Sequence, residues 1–379
     1  MSGPVLPEEL LEEILTRVPV KDLMRFKCVS KWLRSLVFDP TFVKLHLQRS
    51  SKNTHILLTF DAGNDEWDGW SPCVAPCSIH DLLKNPISTL DNCHPFKFDD
   101  TVSVLGVCNG LVCLSHNSEF NEYWFQFWNP ATRIVSKYSP RIRVNGSGYM
   151  FGFGYDDWSD NYQVILLADN DKSQKKMDVR VHCLGDTCWR NTLTCHSFRS
   201  LSVDGASVSC SVNWLALPNL KSSYEWESVI MDELVILSYD LNDKTCSYLS
   251  MPNALSENPP DVIILEVLKG CLCLSHHGRR NHFVVWLMRE FGVENSWTQL
   301  LNISYEQFHI HDYIVPPLPV VLCTSKNDDF MLLANYNSVE FILYNKRDNI
   351  IEWCYHFIFK DGEGFNYGCF LSYNYVQSL

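Results

Sequence analysis

The sequence predicts a mainly β protein, in which a β-propeller of about six blades over residues 54–379 follows a small module of three helices over residues 4–48. Three observations lead to this fold class. The first 48 residues place their apolar side chains at helical spacing. From about residue 54, short runs rich in Val, Ile, Leu, Tyr, Phe and Trp alternate with turn signals such as Asn-Gly and Lys-Gly. Similar strands then recur about every fifty residues, which is the period of a propeller blade.

The first predicted helix carries an apolar face formed by Leu10, Leu11, Ile14, Leu15 and Val18. Pro7 is tolerated in a first helical turn, and Glu8 and Glu9 favour a helix N-terminus. Pro19 ends the helix. The module is near the lower size limit for an adequate core, so we expect an apolar face that is covered either by a partner or by the rest of the chain.

Two further helices are predicted after Pro19. The second contributes Leu23 and Phe26, and its apolar set continues to Cys28 and Val29. Ser30 is a candidate N-cap for the third helix, whose apolar residues are Trp32, Leu33 and Leu36.

Five comparable strands are visible in the large β region, centred on Trp128, His182, Tyr239, Trp286 and Tyr344. A turn after several of them leads to another strand-like run with an aromatic residue: Trp189, Tyr248, Trp297 or Trp353. The C-terminal "FNYGCFLSYNYVQ" is expected to pair with "THILLTF", residues 54–60, to close a sixth blade and remove exposed sheet edges. The alternative is a two-sheet sandwich with insertions. Residues 61–103 are assigned only as an irregular insert.

The helical module resembles an F-box. The matching residues are Leu6-Pro7, Leu10, Ile14-Leu15, Arg17-Val18-Pro19, Leu23, Arg25-Phe26, Val29-Ser30-Lys31-Trp32, Leu36, Pro40 and Phe42. The resemblance implies docking on a Skp-type adaptor, which links to the cullin and RING subunits of an SCF ubiquitin ligase. The candidate adaptor-binding residues are Leu6, Pro7, Leu10, Ile14, Leu15, Val18, Pro19, Leu23, Val29 and Trp32.

The β region resembles the F-box-associated domain of large plant F-box families, including S-locus-type F-box proteins. The matching segments are "FWNPATR", "GFGYDDWSDNYQVILL", "CLGDTCWRN", "LSYDLNDKTCSYLSMP" and "VWLMREFGVENSWTQLLNI", between about residues 104 and 375. This resemblance implies a kelch-like propeller that recognises a target protein.

Composition excludes several other classes. The formal charge of −13 disfavours a nucleic-acid partner for the large region. Apolar runs are too short to span a bilayer, and the acidic N-terminus does not resemble a signal peptide. We therefore expect no membrane partner, a cytoplasmic and/or nuclear location, and reduced cysteines.

Candidate chemical sites are few. Cys73, Cys77 and His80, followed by Cys93-His94, have loop spacing compatible with zinc but lack paired Cys-x2-Cys knuckles. Neither Ser115-His116 nor Ser275-His276 lies in a nucleophile elbow. The acidic run at residues 156–160 is compatible with calcium or a basic ligand but is typical of a solvated turn. We expect no catalytic residues, metal or cofactor.

The segment "KGCLCLSHH", residues 269–277, at first suggests a metal or redox site. It aligns with "CNGLVCLSH", residues 108–116, at the spacing of three blades. Cys271 then corresponds to Leu111, and alternation places Cys271 and Cys273 on one strand face. Both segments are predicted to be equivalent buried strands that follow a turn.

The sequence thus favours a non-catalytic receptor subunit of a ubiquitin ligase, whose target protein and target-binding residues remain unknown. The alternative is a propeller that binds a glycoprotein or another ligand outside ubiquitination.

Overall fold

The structure is a computed structural model of the chain. It describes residues 7–50, 54–64, 68–92, 95–98, 102–144, 148–170, 173–196, 198–202, 204–218, 233–253, 255, 262–278, 282–308, 319–335, 340–356 and 371–379. In this part of the chain, no helix combines the length and apolar character needed to cross a bilayer.

Residues 7–50 contain four helices, one more than helical spacing alone predicts. These are α1 (Glu8–Leu15), α2 (Val20–Phe26), α3 (Lys31–Val37) and α4 (Pro40–Arg49). The predicted cap of α3 is confirmed, because the Leu33 amide donates to the Ser30 hydroxyl at 3.1 Å. The fourth helix begins where the Asp39 carboxylate accepts the amides of Thr41 and Phe42, with Pro40 in its first turn.

The described strands of the β region form six four- or five-stranded sheets, which confirms the predicted propeller. Blade 1 contains β1 (His55–Asn64), β2 (Asp68–Ser78), β3 (Phe96–Lys97) and β26 (Leu371–Tyr375). Blade 2 contains β4 (Val102–Cys108), β5 (Leu111–Asn117), β6 (Glu122–Asn129), β7 (Ile134–Val135) and β8 (Ile142–Arg143). Blade 3 contains β9 (Tyr149–Asp156), β10 (Asn161–Asn170), β11 (Ser173–Cys183) and β12 (Arg190–His196).

The second half of the ring repeats this plan. Blade 4 contains β13 (Arg199–Ser200), β14 (Ala206–Val208), β15 (Ser211–Leu217), β16 (Val235–Asp240) and β17 (Cys246–Leu249). Blade 5 contains β18 (Val262–Leu268), β19 (Cys271–Gly278), β20 (His282–Met288) and β21 (Trp297–Ser304). Blade 6 contains β22 (Pro319–Thr324), β23 (Phe330–Asn335), β24 (Glu340–Asn345) and β25 (Ile350–His356).

The ring closes through the C-terminal strand, as predicted. Strand β26 pairs antiparallel with β1, from Tyr375 opposite His55 to Leu371 opposite Thr59. Contacts run from β22 to β26, β4, β9, β14 and β18 in turn, and these six strands form the innermost row. Five of the blades are therefore continuous in sequence, and the sixth joins the two ends of the domain.

The five strands recognised in the sequence occupy equivalent places. They are β6, β11, β16, β20 and β24, the third strand outward in blades 2 to 6. The less regular residues 61–103 contain the rest of blade 1, including β2 and β3, and two short helices, α5 (Ile79–Lys84) and α6 (Pro86–Asn92).

The "KGCLCLSHH" segment is a buried strand, as its alignment predicts. It lies in β19, the second strand of blade 5, and its counterpart is β5 of blade 2. Cys273 packs in the core between blades 5 and 6 together with the half-buried Cys271. Leu272 and Leu274 face the opposite core toward blade 4. The cysteines of this strand therefore act as small apolar residues.

The alternation of glycine and aromatic residues in β9 allows blades 3 and 4 to approach closely. A Cβ at Gly152 would lie 2.3 Å from a methyl carbon of Val212 and 2.8 Å from the Trp214 ring. The Trp214 indole is fully buried and donates to the Phe151 carbonyl at 2.7 Å. Any larger side chain at Gly152 would separate the two blades.

The outer tryptophans repeat a contact between neighbouring blades. Trp189 of blade 3 donates its indole N–H to the Pro140 carbonyl of blade 2 at 3.0 Å. Trp297 of blade 5 makes the same bond to the Ser250 carbonyl of blade 4, also at 3.0 Å. These two periodic tryptophans thus join neighbouring blades.

Candidate functional site

The candidate site is the surface of the helical module, because it exposes several large apolar side chains. Leu10 and Ile14 are 51% and 52% exposed, and Val29 is 75% exposed. Leu10 and Ile14 lie four residues apart on α1, so their side chains share one side of that helix. Water contact with such side chains is unfavourable, and a partner that covered them would gain free energy.

Another side of α1 contributes to the module's own core. Leu15 and Leu23 are buried together with Leu36, Val37 and Phe42. Val18 and Trp32 are half-buried and pack against this cluster. A helix that divides its apolar residues in this way serves two purposes, since one stripe holds the module together and the other is free for a partner.

The structure therefore separates the ten residues predicted from the sequence. Pro7, Leu10, Ile14, Pro19 and Val29 are exposed, whereas Leu15 and Leu23 belong to the core and Val18 and Trp32 lie between these two states. Leu6 lies outside the described residues. Two exposed aromatic residues, Phe26 and Phe38, were not among the predicted residues. Phe26 is the last residue of α2 and belongs to the F-box motif, but the motif does not show that its side chain is exposed.

An ion-pair cluster fixes α1 to the last helix of the module. The Glu13 carboxylate accepts from Arg17 at 2.9 Å and from Arg49 at 2.5 Å. Hydrogen bonds from these two guanidinium groups, first from Arg49, lower the pKa of Glu13. His46 adds a contact between its Nε2 and the Val18 carbonyl at 2.9 Å. The exposed stripe of α1 is thus held by the packing behind it.

The module is attached to one end of the propeller. Leu379 packs against the module core, and the Ser378 carbonyl accepts from Asn129 of blade 2 at 3.2 Å. The Lys44 ammonium forms an ion pair with Asp160 of blade 3 at 2.6 Å. A cavity of about 670 Å³ lies along this junction, lined on the propeller side by His55 and Gln377. Leu10 and Ile14 are not among the residues that line this cavity.

Two of the candidate zinc ligands pack inside the propeller. Cys73 and Cys77 are buried in the core of blade 1, while His80 is exposed on α5 and the remaining pair, residues 93 and 94, lies outside the described residues. Among the residues that the structure describes, no three His, Cys, Asp or Glu side chains gather as a metal site.

The acidic run at residues 156–160 forms the turn between β9 and β10, and its Asp156 and Asp160 carboxylates form ion pairs with lysines. Burial would raise the pKa of Asp156, but the Ser159 amide and hydroxyl and the Lys244 ammonium lower that pKa to about 2. Lys244 comes from blade 4 and also donates to Gln163 at 2.7 Å. The buried carboxylate therefore links blades 3 and 4.

Two family models and several known proteins match this chain. Residues 4–45 match the family model of the F-box domain, and residues 55–352 match that of the F-box associated beta propeller domain. The chain is 28% identical over 313 residues to an F-box/kelch-repeat protein of Arabidopsis thaliana, covering 79% of each chain. It is 25% identical over 368 residues to the F-box protein CPR1 of Arabidopsis thaliana, covering 90% of this chain and 83% of the relative.

Proposed function

The chain belongs to the F-box proteins that carry an F-box-associated β-propeller, and we therefore propose that it is the substrate receptor of an SCF-type cullin–RING ubiquitin ligase. The F-box module binds a Skp-type adaptor, through which it joins the cullin and RING subunits. The propeller binds a target protein for ubiquitination. The exposed stripe of α1 carries this proposal, because Leu10 and Ile14 are half exposed although the module has a complete core behind them.

The docking surface is formed by the exposed members of the predicted set, Pro7, Leu10, Ile14, Pro19 and Val29. The half-buried Val18 and Trp32 border it, while Leu15 and Leu23 support it from the core. An apolar helical stripe that enters a groove is a common mode of recognition, in which residues at helical spacing act as anchors. Leu6 remains a candidate on the basis of its place in the motif.

The receptor contributes no reacting group in this proposal. Its effect on ubiquitin transfer comes from holding the target near the ubiquitin-conjugating enzyme, which raises the effective concentration of the target's lysines. A firm link between module and propeller supports this role. The Leu379 contact, the Ser378–Asn129 bond and the Lys44–Asp160 ion pair provide such a link.

We place the protein in the cytoplasm and/or the nucleus. Cys113, Cys273 and Cys323 are free thiols buried in the blades. Burial raises the pKa of all three, to about 12 for Cys323. Thiols of this kind are inert packing residues, which suits a reducing compartment.

Co-purification with a recombinant Skp-type adaptor tests the proposal. The wild-type chain is expected to form a stable complex, and Leu10→Glu combined with Ile14→Glu is expected to abolish it, because two charges would be buried in an apolar interface. Ile350→Glu is the matched control, since Ile350 is 51% exposed but lies on blade 6.

The assignment is wrong if the folded double variant still binds the adaptor, or if the wild type does not bind it. In the latter case the propeller would act as a binding protein outside ubiquitination. Circular dichroism of each variant establishes that it is folded before binding is compared.

A further inference from the structure

The outer edge of blade 2 is basic although the chain as a whole is acidic. Residues 130–144 contain Arg133, Lys137, Arg141 and Arg143 and no Asp or Glu, within a chain of net charge −13. The four cationic side chains are exposed. An acidic partner is attracted to a local excess of positive charge, while the net negative charge of the rest of the chain repels it.

A β-bulge pushes part of this edge away from the blade. The amides of Phe127 and Phe125 donate to the hydroxyls of Ser136 and Ser139, both at 2.9 Å. The two serines are three residues apart, whereas the two phenylalanines that they bond are only two residues apart on β6. The outer segment therefore contains one extra residue, which is the geometry of a β-bulge. Between the two serines, Lys137 and Tyr138 face solvent, and Tyr138 is 62% exposed.

The bulged segment is held in place by its carbonyl groups. The Ser136 carbonyl accepts a hydrogen bond from the side-chain amide of Gln126 at 3.2 Å. The Pro140 carbonyl accepts from the Trp189 indole of blade 3 at 3.0 Å. A segment that is already ordered loses little conformational entropy when it binds a partner, so it can act as a preorganised binding surface.

Aromatic and cationic side chains meet on this surface. The Arg141 guanidinium lies 4.4 Å from the centre of the Trp124 ring. His116 stacks on Trp124 at 5.8 Å, and Tyr138 meets His116 edge-on at 5.4 Å. The neighbouring β5–β6 hairpin exposes Phe120. Tyr, Trp and Arg are the residues that most often dominate binding energy at protein interfaces.

We call this surface the blade 2 rim and define it by Phe120, Trp124, Lys137, Tyr138, Arg141 and Arg143. Two carboxylates lie on the same hairpin: Glu122, which is 3.4 Å from Arg141, and the exposed Glu119. The three cations of the rim still outnumber them. The hairpin lies at the opposite end of blade 2 from Gly110, which contacts Ser378 beside the F-box module. An adaptor bound to the module would therefore leave the rim accessible.

We propose that the blade 2 rim binds an acidic segment of the target protein, with carboxylates facing Lys137 and Arg141 and with aromatic or aliphatic side chains against Tyr138 and Phe120. This inference deepens the receptor function proposed above and rests on it. Charge complementarity selects the acidic segment, and the exposed aromatic residues require apolar side chains beside its carboxylates.

Fluorescence anisotropy with a labelled Glu–Tyr copolymer tests the proposal. The wild-type protein is expected to bind the copolymer, with an affinity that falls as salt is added. Lys137→Glu combined with Arg141→Glu is expected to weaken binding about tenfold at low salt, because two attractive contacts become repulsive. Tyr138→Ser is expected to weaken binding with little change in salt dependence, since it removes an apolar contact.

Lys346→Glu combined with Arg347→Glu is the matched control, because it makes the same charge change at exposed positions of blade 6. Equal binding by the rim and control variants would overturn the proposal. So would equal binding of polyglutamate, or tighter binding of single-stranded DNA or phosphatidylserine vesicles. A wild-type dimer that the rim variant dissolves would instead identify the occupant as a second copy of this chain.

The two proposals fail separately. The Leu10→Glu/Ile14→Glu variant is expected to lose the adaptor and keep the copolymer, whereas the rim variant is expected to do the reverse. Loss of both activities in either variant would indicate misfolding, which a thermal melt of that variant detects. If the rim variant is folded only at a lower temperature, its binding to the copolymer is measured at that temperature.

Discussion

Truncation of the exposed stripe on α1 should weaken adaptor binding without unfolding the module. Leu10 and Ile14 are 51% and 52% exposed, so about half of each side chain is available to a partner. Complete burial of a Leu or Ile side chain contributes about 1.5–3 kcal/mol. Covering the exposed half should then contribute about 1 kcal/mol for each residue.

Leu10→Ala combined with Ile14→Ala is therefore expected to cost about 2 kcal/mol of binding free energy, or roughly a thirtyfold increase in Kd. Isothermal titration calorimetry with the recombinant adaptor measures this change. The thermal melt of the unbound variant should move little, because the two side chains contribute mainly solvent-exposed surface.

Two comparison variants make this prediction specific. Ile350→Ala removes a side chain of 51% exposure from blade 6 and should leave Kd unchanged. Leu23→Ala opens a cavity in the module core and should destabilise that module by about 3 kcal/mol, whatever its effect on binding. A Kd for the double variant within twofold of wild type, with an unchanged melt, would show that the adaptor docks elsewhere.

Three further predictions concern the propeller. The pKa of Asp156 is lowered to about 2 from an ordinary value of 3.8. The stability that this carboxylate contributes is therefore complete above pH 3.8 and is lost as the pH falls through about 2. Lys244→Met should lower the free energy of unfolding by about 2 kcal/mol at neutral pH, measured by urea denaturation, and should flatten this acid dependence. Trp297→Phe removes the indole bond to the Ser250 carbonyl and should cost about 1 kcal/mol, and an unchanged denaturation midpoint would mean that this bond does not hold the blades. Ser209 has a φ of 50° in a β-hairpin turn, so Ser209→Gly should raise stability by about 1 kcal/mol, and a lower melting temperature would contradict the strain inferred there.

The order of the blades was predictable because its signals are local. A strand needs alternating side chains and a hairpin needs a turn that tolerates positive φ, and both appear within a few residues. Asn109-Gly110 and Lys269-Gly270 have positive φ at both residues, and each joins the first and second strands of its blade. Residues 61–103 resisted assignment because two short helices interrupt the strands of blade 1.

The sequence identified the apolar residues of the helical module, but it did not show which of them are exposed. Spacing identified Leu10, Ile14, Leu15 and Leu23 as apolar positions on helices, since the period of a helix is a property of its own sequence. Whether such a residue faces a partner or the core depends on where the other helices pack. The structure places Leu15 and Leu23 inside and leaves Leu10 and Ile14 outside.

The first three helices, the repeat of the blades and the closure of the ring by its two ends could be predicted from the sequence, because each of these follows from short-range periodicity or from pairing complementary strands. Which surfaces are available depends on how the helices and blades pack. The blade 2 rim depends on Trp189, which reaches Pro140 from the next blade, and on the serine hydroxyls that shift the outer segment. Contacts between residues so far apart leave no periodic signal in the sequence, so exposure and surface geometry emerge only when the blades are packed.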